Sequence, residues 1–336
     1  MNPRRISLAG ALFCVLALLS ATVSATQVPG PLVDSQWLRS NLDKVVILDV
    51  RIDVKSFGKR SKQAGAVNPC GVAQRKGPLK VAGHIPGAAL VPWNKVTAKR
   101  KVAGKQLKVL LPAKADFERL MRKSGVDNDS ALVITSKGEA VIHMALAARL
   151  FWTLKYFGFD NVALLDGGTA QWIKDKQKIE FGRSKTRKGD FKATAERGEI
   201  LASMEDVEKL AEGRGTGQLV DVRSTGEYLG LTASGQFVAP GIKGHVSGAK
   251  SFPIGLYADS FGTATLYDKD RIKQVAGLLE VDTEAPTIFM CDSGGFASLA
   301  WFVAYELMGN KDARLYDGSM HEWSHRGKRV VSMVIE

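Results

Sequence analysis

The sequence predicts an α/β protein of two related domains, each a mainly parallel sheet flanked by helices. Three observations carry this expectation. The chain has 336 residues, long for one hydrophobic core and comfortable for two. Short apolar runs alternate with helical patterns, as parallel strands joined by crossover helices require. Four sequence blocks also occur twice in the same order. The first set is VILDVR (46–51), AGHIPGA (82–88), ALVIT (131–135) and VALLDGGTAQW (162–172). The second is QLVDVR (218–223), KGHVSGA (243–249), TIFMC (287–291) and ARLYDGSMHEW (313–323).

Residues 1–25 read as an export signal. Arg4 and Arg5 form a basic head, 8–19 is apolar, and Val23-Ser24-Ala25 supplies small residues for cleavage after Ala25. The apolar run is shorter than the ~20 residues a spanning helix needs, so no membrane span is expected. The mature protein is then periplasmic or secreted. Residues 26–175 form the first domain, with an insertion at 53–80 rich in Lys and Gly. Its buried strands are expected at 45–48, 131–135 and 162–165, each a short β-branched-rich run bounded by turn formers. Helices are expected at 113–123 and 142–157. Residues 176–198 read as a linker, and 199–336 as the second domain. There Ser203 is expected to cap a helix reaching 212, and Gly309 to stop one that begins at 296.

Composition narrows the function. Hydrophobic residues make up 45% and charged residues 24%, a globular profile without collagen-like or disordered bias. Residues 26–196 hold 31 Lys and Arg against 15 Asp and Glu, whereas 197–336 hold 14 against 19. The basic half is expected to attract anions: small anionic substrates, an acidic protein partner or an anionic surface. A solvated basic face is the plain alternative. Export argues against nucleic acid. Cys14 leaves with the signal, and Cys70 and Cys291 remain, too few for a disulfide framework and without metal-binding spacing. No metal or organic cofactor is expected. Cys70 lies in the insertion, either an exposed bystander or a thiol able to exchange with Cys291.

The second copy places Cys291 where the apolar run 287–290 ends, followed by Asp292-Ser293-Gly294-Gly295 and then a helix. Ligands of parallel sheets bind at the carboxyl ends of the strands. Glycines let backbone N–H groups turn inward as an anion-holding nest, and the helix points its positive end at the same spot. Both favour the thiolate, the reactive form of cysteine. Asp292 opposes them at a cost on the order of 1 kcal/mol, which the helix end offsets by about 0.3–1 kcal/mol. The loop amides then decide, and the expectation is that they win. An inert core cysteine would need neither the glycines nor a helix starting there.

The duplicated D-V-R, G-H-x-x-G-A and D-G-[GS]-x-x-x-W blocks, with the cysteine loop in the second copy alone, resemble the tandem-domain rhodaneses over most of the mature chain. The resemblance implies a six-residue active-site loop of Cys291, Asp292, Ser293, Gly294, Gly295 and Phe296. It implies a sulfurtransferase that takes a sulfane sulfur from a small anionic donor onto Cys291 as a persulfide. A thiol or cyanide-like acceptor then removes it, so that two easier displacements replace one hard transfer. The alternative is a non-enzymatic persulfide carrier or an anion- or partner-binding member of the family. The first copy has Thr135 or Ser136 at the cysteine position, so that domain is expected to wall the site without catalysing.

Departures from the family bear on the donor. Thiosulfate-preferring members carry basic residues where Asp292 and Ser293 stand. Mercaptopyruvate sulfurtransferases hold the substrate carboxylate with arginines where this chain has Glu227 and Leu229. Ser293 is closer to the Cys-Gly-Ser-Gly loop of the mercaptopyruvate enzymes, but their arginines are missing, and thiosulfate is the expected donor of the two. Cysteine-dependent phosphatases end the same loop with an arginine that clamps the oxyanion; Phe296, Ala297 and Ser298 argue against that chemistry.

The remaining polar residues have plainer readings. His84 and His245 recur in both copies and are expected to stabilise turns. Asp49 with Arg51, and Asp221 with Arg223, are expected to form strand-end ion pairs, with Arg223 and Glu227 as possible supports of the site. His321 and His325 flank it or are incidental on an exposed helix face, and Trp172 and Trp323 read as core.

Overall fold

The computed structural model describes residues 26–59, 80–102, 104–259 and 262–332. The expected export signal, most of the expected insertion and Cys70 lie outside the described residues.

Twelve strands are described: β1 (Leu32–Val33), β2 (Val46–Arg51), β3 (Ala89–Pro92), β4 (Ala98–Val102), β5 (Lys105–Leu110), β6 (Leu132–Ser136), β7 (Val162–Leu165), β8 (Leu201–Ala202), β9 (Gln218–Asp221), β10 (Lys250–Ser251), β11 (Thr287–Met290) and β12 (Ala313–Tyr316). They form two five-stranded sheets, ordered β1-β7-β6-β2-β3 and β8-β12-β11-β9-β10, plus the two-stranded β4-β5 hairpin. The two five-stranded sheets are parallel throughout and share one strand order. Their central strands β2, β6 and β11 are buried almost end to end, because helices cover both faces. The duplication is thus structural as well as sequential.

The expected helices fall into place. Lys114–Lys123 turns Phe117 and Met121 inward. Met204–Ala211 starts from Ser203, whose side chain accepts from the Asp206 amide while Asp206 answers at the Ser203 amide, a reciprocal cap. The helix after the cysteine loop runs as Ala297–Phe302 and widens into a π-turn at Val303–Leu307 before Gly309.

Helix Val141–Tyr156 buries residues around nearly its whole circumference, including Arg149. It packs against Ala297–Phe302 of the other sheet, with Phe151 and Phe302 edge to face at 4.9 Å. One continuous apolar core therefore joins the two halves, and a smaller cluster lies on the outer side of each sheet. Residues 176–198 do not hang free. The amides of Gly189, Phe191, Thr194 and Arg197 bond to backbone carbonyls of the first domain, and Phe191 is buried there.

The recurring polar blocks anchor turns. Arg51 donates through Nε and Nη2 to Asp49 and through Nη2 to the Gly83 carbonyl. Arg223 does the same with Asp221 and the Gly244 carbonyl. His84 stacks on Phe57 at 3.9 Å and His245 on Tyr228 at 3.7 Å, each ring bonded to a backbone carbonyl. Trp172 and Trp323 are buried, donating to the carbonyls of Lys178 and Arg329. No helix among the described residues is long and apolar enough to cross a membrane.

Candidate active site

Cys291 directly follows β11, at the carboxyl end of the central strand. Met290 pairs with Asp221, and Thr135 of the first sheet pairs with Asp49. Since Asp49 and Asp221 hold the same place in their blocks, the partner of Cys291 in the first copy is Ser136.

The loop after Cys291 is a nest. Backbone amides of Ala297, Ser293 and Phe296 hydrogen-bond toward the sulfur. Gly294 has φ +73°, where a side chain is strained, and a Cβ there would lie 2.8 Å from the Asp317 carbonyl oxygen. Ser293, Gly294 and Gly295 are buried, whereas Asp292 and Phe296 are partly exposed. Helix Ser319–His325 secures the strand end: the amides of Met320 and His321 donate to the carbonyls of Cys291 and Asp292. Ser319 Oγ accepts from the amides of Cys291 (3.1 Å) and Gly294 (3.0 Å) and donates to the Tyr316 carbonyl (2.8 Å). That saturates one hydroxyl.

The expectation that the amides would win the thiol's ionisation is corrected here. Cys291 is only 1% exposed. Burial pushes its thiol up, the neighbouring Asp292 charge adds to this, and the three amides pull it back without reversing it. Carboxylate and amides are sequence neighbours of the sulfur, but desolvation of a buried thiol outweighs both.

Asp292 is itself perturbed. Burial first, then the Glu227 charge, raise its carboxyl to about 7 against the opposing pull of Arg223. Arg223 Nη1 lies 3.8 Å from Asp292 Oδ1, an atom with no hydrogen-bond partner. Glu227 accepts from Ser224 Oγ at 2.7 Å, closing a reciprocal cap on helix Thr225–Leu229. The structure thus brings Arg223, Glu227 and Asp292 together beside the loop, with the guanidinium spent on Asp221. His321 is buried, not exposed as expected of that helix face. It meets Phe237 edge-on at 5.5 Å, and burial with the nearby His325 charge lowers it to about 4, so it is neutral at pH 7.

The first domain walls the loop. A Cβ on Gly295 would touch the Trp93 ring at 3.8 Å. The Leu111 amide donates to Asp317 Oδ2 at 2.7 Å, and Arg149 donates to Asp317 Oδ1 at 2.5 Å. Arg149, Asp317 and Ser319 were not singled out from the sequence. The signals were present: one arginine in the otherwise apolar stretch from Met144 to Trp152, and a serine where the first copy's D-G-G block has Gly168.

Comparison with known proteins agrees with this geometry. The rhodanese-like domain model matches residues 34–175 and again 203–326. The chain is similar to the 3-mercaptopyruvate sulfurtransferase of Escherichia coli K12, with 28% identity over 305 residues covering 90% of this chain and 98% of that one. It is similar to the thiosulfate sulfurtransferase of Bos taurus, with 28% identity over 245 residues covering 72% and 78%. The crystal structure of the E. coli 3-mercaptopyruvate enzyme SseA superposes with a TM-score of 0.66 at 26% identity, covering 86% of this chain and 98% of that one. With two matched segments spanning most of its length, each built on the same five-stranded parallel sheet, the chain belongs to the rhodanese-like domain family.

Proposed function

We propose that the protein is a sulfurtransferase that carries a sulfane sulfur on Cys291. One observation bears most of the weight: a cysteine at the end of a central parallel strand, its sulfur faced by the amides of Ser293, Phe296 and Ala297. The Cys291 thiolate attacks the outer sulfur of the donor. With thiosulfate, the S–S bond breaks, sulfite leaves with the electron pair, and Cys291 becomes a persulfide. The amides hold its anionic outer sulfur. A nucleophile such as cyanide then attacks that sulfur, thiocyanate departs, and the thiolate is restored. Asp292–Phe296 shape the loop, and Arg223 and Glu227 support it.

Thiosulfate is the preferred donor over mercaptopyruvate in this reading. Mercaptopyruvate must be gripped by its carboxylate, and Glu227 stands at the gripping place with Asp292 beside it. Mature protein incubated with thiosulfate and cyanide should release thiocyanate, and Cys291→Ser should abolish it. Mercaptopyruvate in the same assay should give the lower kcat/KM; the reverse ranking removes the donor assignment. The near-complete burial of the thiol favours a second reading, a stoichiometric persulfide carrier. Loading of one sulfur on Cys291 without continued thiocyanate release is the result that selects it.

Export and an acidic protein partner belong to the same proposal. The export signal of residues 1–25 supports a periplasmic or secreted location, and a mature N-terminus other than Thr26 would count against cleavage after Ala25. The β4-β5 hairpin, with exposed Lys99, Arg100, Lys101 and Lys105, leans on helix Ser319–His325 and supports the partner reading. Charge reversal at Lys99 and Lys101 should weaken salt-sensitive binding of a poly-glutamate peptide; unchanged binding would sink it.

A further inference from the structure

We propose that Arg149, a residue of the first domain, is the positioning residue for the Cys291 loop of the second. Its guanidinium is fully buried at the interface. Nη2 donates to Asp317 Oδ1 at 2.5 Å and to the Val109 carbonyl at 3.3 Å; Nη1 reaches the Gly294 carbonyl at 3.4 Å. Ser298 Oγ donates to the same carbonyl at 2.8 Å. A Cβ on Gly294 would lie 2.9 Å from Arg149 Nη1, so the cation forms the back wall of the turn. Gly294 sits between Ser293 and Phe296, two of the residues whose amides face the sulfur. Moving its carbonyl re-aims those amides. Arg149 is therefore placed to fix the direction of the nest without touching the sulfur.

The asymmetry of the duplication points the same way. Counted from Ser136 and Cys291, the position of Arg149 corresponds to Ala304 in the second copy. Asp166, the counterpart of Asp317, accepts from the Leu266 amide of the other domain at 2.8 Å, and burial pushes its carboxyl up. The reciprocal contact thus keeps the carboxylate and the amide, while an alanine replaces the guanidinium, and the loop it would brace carries Ser136 in place of cysteine. A buried ion pair gives little net stability over an apolar one. Its presence behind the cysteine loop alone is explained by loop geometry.

The inference rests on Cys291 being the sulfur acceptor, and its test includes a readout independent of sulfur transfer. The variants are Arg149→Met/Asp317→Asn, which removes both charges, and Arg149→Lys, which keeps the charge and loses the fork. Folding is checked by thermal unfolding, Cys291 by its iodoacetamide alkylation rate against pH, and turnover with thiosulfate and cyanide. In folded variants kcat should fall about 10- to 100-fold, with KM within about twofold, as misplacement of catalytic groups predicts. The alkylation midpoint should move to higher pH, with Arg149→Lys intermediate. A folded variant with unchanged kcat and an unchanged alkylation profile overturns the proposal. If the double variant does not fold, Arg149→Lys decides alone by the same criteria. Absence of turnover in the unmodified protein would refute sulfur transfer but leave the alkylation comparison intact.

Discussion

Replacing Ser319 by alanine removes one hydroxyl and leaves two loop amides stranded. The amides of Cys291 and Gly294 donate to Ser319 Oγ at 3.1 and 3.0 Å, in a site where Ser319 is fully buried. A buried N–H without a partner costs about 1–3 kcal/mol, so two cost about 2–6 kcal/mol unless the loop shifts or water enters. Ser319 also stands at φ +50°. Glycine relieves a left-handed backbone by about 1 kcal/mol, so Ser319→Gly should be less destabilised than Ser319→Ala by that amount, although both lose the hydroxyl. Gly168 fills the same place in the first copy at φ +58°. Urea unfolding with linear extrapolation measures both differences. Iodoacetamide trapping at fixed pH reports whether the thiol's surroundings have changed. A Ser319→Ala protein within about 0.5 kcal/mol of the parent, the range of a neutral surface substitution, with unaltered trapping, would refute the role given to this hydroxyl.

The perturbed groups make further predictions. Burial and the Asp292 charge raise the Cys291 thiol, so its alkylation midpoint should lie above the ordinary thiol value of about 8.5. Asp292→Asn removes the charge but not the burial and should lower that midpoint, read from the same pH series; a rise would contradict the assignment. Asp292 binds its proton more tightly in the fold, about 7 against 3.8. The stability this confers is full below pH 3.8 and is lost as pH rises through 7. Unfolding at pH 5 and pH 8 should therefore show the parent losing stability relative to Asp292→Asn at the higher pH, and the opposite slope would be decisive against it. Gly294→Ala forces a Cβ against Arg149 Nη1 and the Asp317 carbonyl at a left-handed φ, so it should destabilise by about 1–3 kcal/mol and depress turnover. Thermal unfolding and the thiocyanate assay check both effects.

Much of this was legible in the sequence because it is local. A β-branched run followed by small residues fixes a strand, a turn and a helix within a dozen positions, so Cys291 and its loop could be read directly. The repeated Asp-Val-Arg blocks revealed their ion pairs because the partners lie two residues apart. What could not be read is what the other domain contributes. Arg149 and Asp317 are 168 residues apart. Leu111 and Asp317 are separated by 206. No periodicity encodes such contacts. The ionisation of Cys291 was misjudged for the same reason: amides and carboxylate are sequence neighbours, whereas the burial that outweighs the amides comes from a core built of residues distant in the chain.

The two loops also differ in how they use their hydrogen-bond donors. In the second, Ser319 takes the amides of Cys291 and Gly294, leaving those of Ser293, Phe296 and Ala297 for the sulfur. In the first, the loop supplies its own anion. Glu139 pairs with Lys137 at 2.9 Å and also accepts the Val81 amide, while His143 Nδ1 accepts the Ala140 amide at 3.2 Å. Donors in and around this loop are thus spent on its own side chains, and Ser136 Oγ, at the nucleophile's position, is buried without a partner. The first domain's contribution here is to wall the other domain's cysteine loop, through Trp93 beside Gly295 and through Leu111 and Arg149 bonded to Asp317.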